Sequence, residues 1–172
     1  LTNMEGLKKL RPAFKKDGLV TAGNASKIAD GASALVVMSR EKADALGCKP
    51  LVRVGAQGAS GMDMKYVLVA PILSIPKVLA KDGLTVDDID LHEINEAFST
   101  SSIAINRELN IDPLKVNVHG GSVAIGHPIG ASGARVLTTL IHAMKDRGAG
   151  VGEASLCLGG GEAVTLVVYN EA

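Results

Sequence analysis

Residues 116–135 read Val-Asn-Val-His-Gly-Gly-Ser-Val-Ala-Ile-Gly-His-Pro-Ile-Gly-Ala-Ser-Gly-Ala-Arg. The pattern predicts a short strand, a glycine-rich turn presenting His127, and a helix whose first turn is built from Gly130, Ala131, Ser132 and Gly133. Gly126 and Pro128 fix the backbone on either side of the histidine. A histidine just ahead of a helix N-terminus stands where unpaired N–H groups and the positive end of the helix dipole converge, a place suited to stabilising an oxyanion.

Outward from that stretch, Leu137, Leu140, Ile141 and Met144 make an i, i+3, i+4, i+7 stripe closed by Lys145, Arg147 and Gly148, the pattern of an amphipathic helix with a basic last turn and a glycine stop. Residues 154–158 and 163–168 then read as two strands joined in a hairpin across Gly159-Gly160-Gly161. Upstream, residues 97–110 repeat apolar positions at helical spacing, after a short strand at 89–91. Pro76 interrupts the helical pattern of 71–81. A buried strand is expected at 32–38, a helix capped by Ser39 running to Leu46, and a strand at 51–54. Residues 1–26 are polar and turn-rich, with one extended piece at 19–21. The expected order is β-α-β-α-β-α-β-α-β-β: an α/β protein with a mixed sheet and helices on both faces.

The 172 residues suffice for one domain with its own core, and 47% are hydrophobic, supplied by Ala, Val, Leu and Ile with no Trp. Lys plus Arg and Asp plus Glu are both 18, so no global field attracts nucleic acid. The basic cluster Lys8, Lys9, Arg11, Lys15 and Lys16 reads as a solvated face, with weak attraction for a nucleotide phosphate as its functional alternative. Cys48 and Cys157 lack metal-ligand spacing, so neither a zinc site nor a disulfide framework is expected, and a reducing compartment fits. No apolar run is long enough to span a bilayer. Without a secretory leader, and with Leu1 in place of an initiator methionine, the chain is expected to be soluble and a piece of something longer. No G-x-G-x-x-G follows a strand and no Walker motif is present, which disfavours nucleotide binding.

Three stretches could carry chemistry: Glu93-Ile94-Asn95-Glu96-Ala97-Phe98, the turn at His127, and Cys157-Leu158-Gly159-Gly160-Gly161. Taken singly, each has a plain alternative. His127 could be structural, Asn95 an Asx turn or helix cap, and Cys157 an inert buried thiol. A thiol beside exposed backbone N–H groups could instead have a lowered pKa and exchange protons.

Together, Asn-Glu-Ala-Phe, Gly-His-Pro and Cys-x-Gly-Gly-Gly resemble the three C-terminal signatures of the thiolase family. The resemblance extends to Val20-Thr21-Ala22-Gly23-Asn24-Ala25-Ser26 and Asp30-Gly31-Ala32, and so covers nearly the whole chain. It implies a thiolase-like C-terminal domain over 28–172, preceded at 1–27 by the tail of a CoA-binding loop region. It also implies Claisen condensation of two acetyl-CoA to acetoacetyl-CoA, or the reverse thiolysis, with CoA thioesters as substrates and no metal or bound cofactor. In that pattern Cys157 is the acid/base, and His127 and a water on Asn95 bind the enolate oxygen. His127 also activates the nucleophilic cysteine, and the N–H of Gly159 serves a second oxyanion hole. Ala97 and Phe98 line the acyl pocket, and Ser26 meets the pantetheine arm.

The nucleophilic cysteine of the family lies in an N-terminal half, and Cys48 stands in a stretch unlike its motif. The resemblance therefore implies an N-terminal partner half, a homo-oligomer of the complete enzyme, and a cytoplasmic or mitochondrial-matrix location. Lys27 replaces a common small residue, Leu68-Val69-Ala70-Pro71 a Gly-x-Gly-Pro turn, and His119 a frequent Asn, changes that bear on substrate length. The biosynthetic acetyl-CoA C-acetyltransferase is the expected type. The alternatives are a degradative 3-ketoacyl-CoA thiolase and a non-catalytic acyl-CoA-binding or assembly module.

Overall fold

The computed structural model describes residues 2–171; Leu1 and Ala172, the outer ends of the two expected segments, lie outside them. After a short helix α1 (Met4–Lys8) and α2 (Arg40–Ala45), the chain runs β1 (Val52–Gly61), α3 (Pro71–Leu79), β2 (Leu91–Ile94), α4 (Ser99–Glu108), α5 (Ser122–Ile125), α6 (Ser132–Arg147), β3 (Val151–Leu158) and β4 (Glu162–Asn170). The strands form one sheet in the order β1-β4-β3-β2, in which β2 and β3 are parallel and the other pairs antiparallel.

Alternation along the strands divides the core in two. Val167 joins Ile75, Val78 and Leu79 of α3 with Ile94 and Ile105. Its neighbour Val168 joins Val136, Leu140, Ala143 and Met144 of α6 with Leu91 and Ala154. Helices α3 and α6 thus cover opposite faces of a mixed sheet. Three ends form as expected: Ser39 Oγ accepts from the Lys42 amide to open α2, and Gly83 and Gly148, both left-handed, close the turns after α3 and α6. Pro76 lies within α3, with Pro71 in its first turn. The hairpin also forms, with Cys157 opposite Ala163 and Leu158 opposite Glu162.

Residues 32–38 form no strand. They run extended with Val36 87% and Val37 76% exposed. A strand exists through its ladder hydrogen bonds, and no described strand lies beside this segment to supply them. Near it, Ser33 Oγ contacts Thr138 Oγ1 on α6 at 2.9 Å. The strand expected at 116–118 is also absent. Asn117 adopts φ 48°, and its side chain substitutes for a backbone ladder: Oδ1 accepts from the Ile94 amide at 2.9 Å while Nδ2 donates to the Ile94 carbonyl at 2.8 Å. The extended piece at 19–21 reduces to one bridge between Pro12 and Thr21. In contrast, β1 runs well past 54, and the strand placed at 89–91 begins at Leu91. Residues 122–125, read as turn, close one helical turn as α5.

Candidate active site

Parallel strands β2 and β3 end side by side, with Ile94 opposite Ser155 and the Asn95 amide donating to the Ser155 carbonyl at 2.8 Å. Asn95 leaves the end of β2, and Cys157 stands two residues beyond Ser155 near the end of β3. The sheet therefore places two of the three candidate stretches at one edge, where side chains of a parallel pair emerge beside the connecting loops.

His127 reaches the same edge from the loop before α6. Gly126 has φ 99°, and a Cβ on it would lie 2.6 Å from Ala29 Cβ, so only glycine permits the close approach of this loop to residues 27–29. That approach is sealed by the His127 amide, which donates to the Lys27 carbonyl at 2.9 Å. The imidazole then faces Asn95, with Asn95 Nδ2 3.4 Å from His127 Nε2.

The hydrogen bonds around the imidazole define its tautomer. Ser132 Oγ donates to the Pro128 carbonyl at 3.1 Å and also lies 2.6 Å from His127 Nδ1. A hydroxyl has one proton, so at Nδ1 the serine accepts, and the ring carries its hydrogen there. Nε2 is left with a lone pair directed at Asn95. Burial, and secondarily the positive charge of Arg135, lowers the His127 pKa, which favours this neutral form. The ring is thus arranged to take a proton at Nε2 and, once protonated, to donate from that nitrogen to an anion.

Asn95 is oriented from its other side. Its Oδ1 accepts from Ser122 Oγ at 2.7 Å and from Arg135 Nη2 at 3.1 Å. Arg135 Nη1 meanwhile donates to Glu93 Oε1 at 3.0 Å. None of Ser122, Ser132, Arg135 or Glu93 was singled out in the sequence as a site residue. Ser132 and Arg135 lie within the decisive stretch, three residues apart in the first turn of α6, while Ser122 carries no local signal.

Cys157 is half-buried. Its pKa is raised by burial, with its own backbone amide acting weakly the other way, so the lowering that nearby N–H groups suggested does not occur. Among the described residues Cys157 makes no side-chain hydrogen bond to His127 or Asn95. The glycines beyond it are pinned: Gly161, at φ 93°, would place a Cβ 2.3 Å from the Met62 carbonyl oxygen, and the Met62 amide donates to the Gly161 carbonyl at 2.8 Å. Gly159 is exposed at the tip. Ser26 and Ala97 are brought together, the Ser26 amide donating to the Ala97 carbonyl at 3.0 Å. Ala97 is buried, and Phe98 meets Phe14 edge-to-face at 6.1 Å. No cluster of three or more His, Cys, Asp or Glu side chains suited to a metal occurs among the described residues, and no described helix is long and apolar enough to cross a membrane.

Burial pushes the Glu93 carboxyl up to about 7 despite the adjacent Arg135, with Glu96 and Glu153 adding to the rise. Between the ordinary carboxyl value of 4.5 and about 7, the folded protein therefore binds more protons than the unfolded chain. Stability is full below that window and falls as pH rises through it, by up to about 3 kcal/mol. Glu93→Gln cannot ionise and is expected to lose this slope. Urea midpoints of both proteins at pH 5 and pH 8 measure it, and an unchanged difference between the two pH values would contradict the assignment.

The family description "Thiolase, C-terminal domain" matches residues 48–170, and "Thiolase, N-terminal domain" matches residues 1–41. The acetyl-CoA acetyltransferase of Chromobacterium violaceum is 53% identical over 95% of this chain and 42% of its own length. That of Syntrophomonas wolfei is 54% identical with the same coverage. A probable acetyl-CoA acyltransferase of Staphylococcus epidermidis is 50% identical over 97% of this chain and 42% of its own. The chain thus spans about two fifths of the length of these curated proteins. Among solved structures, Bacillus anthracis acetyl-CoA acetyltransferase superposes with TM-score 0.95 and 48% identity, over 96% of this chain and 42% of that one. Human mitochondrial 3-ketoacyl-CoA thiolase superposes with TM-score 0.92 and 38% identity, over 99% and 43%.

Proposed function

The chain belongs to the thiolase family, and from that premise we propose that it is the C-terminal half of an acetyl-CoA C-acetyltransferase. It acts with an N-terminal half that carries the nucleophilic cysteine. The observation that carries the reading is the meeting of Asn95 Nδ2 and His127 Nε2 at 3.4 Å beside the strand end bearing Cys157.

In the condensation, His127 Nε2 takes the proton of the nucleophilic cysteine, which attacks the carbonyl of one acetyl-CoA and releases CoA. Cys157, as thiolate, then removes a proton from the methyl group of a second acetyl-CoA. The α-proton of a thioester is weakly acidic, so the base alone is insufficient. The enolate oxygen is met by protonated His127 and by a water on Asn95, donors already in place before the charge develops. The enolate carbon attacks the acyl-cysteine, the C–C bond forms as the C–S bond breaks, and the N–H of Gly159 helps to hold the transient oxyanion. In thiolysis the steps reverse, and Cys157 returns the proton. Its raised pKa keeps the thiol protonated at rest, the form that reverse step needs. Ala97 and Phe98 bound the acyl group, and Ser26 meets the pantetheine arm. CoA thioesters are substrates, and the chemistry needs no metal or bound cofactor. A homo-oligomer of the complete enzyme, in the cytoplasm or mitochondrial matrix, fits the exposed apolar segment at 32–38.

Greater identity to the B. anthracis acetyl-CoA acetyltransferase than to the human 3-ketoacyl-CoA thiolase supports the short-chain, biosynthetic type. Two measurements test the proposal. The complete enzyme should cleave acetoacetyl-CoA with a higher kcat/KM than a long-chain 3-ketoacyl-CoA; the opposite order would make it degradative. Native mass spectrometry of the isolated protein should show a second polypeptide segment bearing the nucleophile. A lone 172-residue chain that binds CoA esters without turnover would instead be a binding module.

A further inference from the structure

We infer that Arg135 is a positioning residue for the enolate site, holding Asn95 Oδ1 so that the amide N–H groups point toward His127 and the reacting oxygen. The inference rests on the role proposed above for Asn95.

An asparagine amide can present either its oxygen or its NH2 to a ligand, and the two orientations have nearly the same shape. What selects one here is a set of donors on the far side. Arg135 has no acceptor and is always charged, and its Nη2 lies 3.1 Å from Asn95 Oδ1 and 3.0 Å from Ser122 Oγ. Because Ser122 Oγ accepts from Arg135, its own proton is free for Asn95 Oδ1, 2.7 Å away. Reversing the amide would turn its NH2 onto two donors and leave its oxygen facing the imidazole. The flip is thus opposed by both partners.

The guanidinium is in turn anchored. Glu93 and Asn95 are two residues apart at the end of β2, and Arg135 reaches both from α6, with Nη1 on Glu93 Oε1 at 3.0 Å. Its Nε is buried with no partner among the described residues, so the two Nη groups make all its ties to the site. Ser132, one turn earlier on the same helix, holds His127 Nδ1. The first turn of α6 therefore orients both groups proposed to meet the enolate, and a rigid helix fixes their relative placement better than the two loops that carry them.

Deuterium incorporation into the methyl group of acetyl-CoA reports enolisation, and the burst of CoA release reports acylation of the nucleophilic cysteine. In the complete enzyme, Arg135→Lys keeps a charge beside Glu93 but not the fork. It should slow deuterium incorporation about tenfold to a hundredfold while the burst rate stays within about threefold. Arg135→Met should give the same pattern with a larger loss. In an Asn95→Ala background, Arg135→Lys should add less than about a further twofold, because its effect runs through Asn95. Equal losses in burst and exchange, or full additivity with Asn95→Ala, would overturn the positioning role and make Arg135 merely structural. If Asn95→Ala alone leaves the exchange rate unchanged, the enolate assignment of Asn95 fails first.

Discussion

Alanine at Cys157 or at His127 lowers turnover of acetoacetyl-CoA by the complete enzyme by about 10²–10⁴. The two losses have different origins. Cys157→Ala removes the group that exchanges the α-proton, so methyl deuteration stops while acylation of the nucleophile persists. His127→Ala removes a proton acceptor and an enolate donor at one nitrogen, and both half-reactions slow. The scaffold should survive each change. Without the imidazole, Ser132 Oγ keeps its bond to the Pro128 carbonyl, so no donor is stranded. Cys157 is only half-buried at a strand end, where truncation costs on the order of 1 kcal/mol. Steady-state kinetics with acetoacetyl-CoA and CoA check both, alongside thermal unfolding. A loss under tenfold at both positions would remove the assigned roles.

The parts legible in the sequence are those encoded locally. The stripe of α6 announces itself because Leu140, Ile141 and Met144 repeat at helical spacing, and the structure buries all three together with Val136 and Ala143. The hairpin at Gly159-Gly160-Gly161 is equally local. The strand β1 was underestimated because Gly55, Gly58 and Gly61 dilute its apolar alternation; its pairing with β4, not its composition, makes it a strand. Residues 32–38 show the reverse case. Their β-branched and apolar composition is that of a buried strand, yet Val36 and Val37 lie exposed, since burial needs a neighbour that these residues cannot specify. At the site, the motifs at Asn95, His127 and Cys157 were readable. The network that orients them was not, because Arg135 meets Asn95 across 40 residues and Ser122 meets it across 27. Such pairings arise from the packing of α6 and α5 against the end of β2, which no local window contains.

The same non-local rule placed a polar pair inside the core, and it carries the largest stability effect expected in the molecule. On the α3 face of the sheet, His92 and Glu153 are register partners of β2 and β3, both essentially inaccessible, with Nδ1 2.9 Å from Oε2. Glu153 also accepts from Ser155, whose Oγ lies 2.5 Å from Thr165, and Thr165 lies 2.7 Å from Ser74 on α3. His92→Leu leaves a buried carboxylate without its strongest partner and is expected to cost about 3–5 kcal/mol. Glu153→Leu strands the imidazole, whose Nε2 already lacks a partner among the described residues, and should also destabilise. With His92→Leu and Glu153→Leu combined, the desolvation penalties of both groups vanish and Ser155 retains Thr165. The double variant should therefore recover most of the loss and fall within about 1 kcal/mol of the parent. Equilibrium unfolding in urea of the parent, both single variants and the double gives the coupling. Simple addition of the two single losses would mean that the pair contributes nothing as a pair. Because the Ser155 carbonyl accepts the Asn95 amide at 2.8 Å, this cycle also reads on function. If the ladder only supports the sheet, the double variant keeps the methyl-exchange rate of the parent. If the pair sets the height of the β2 end at Asn95, exchange falls even where stability is restored.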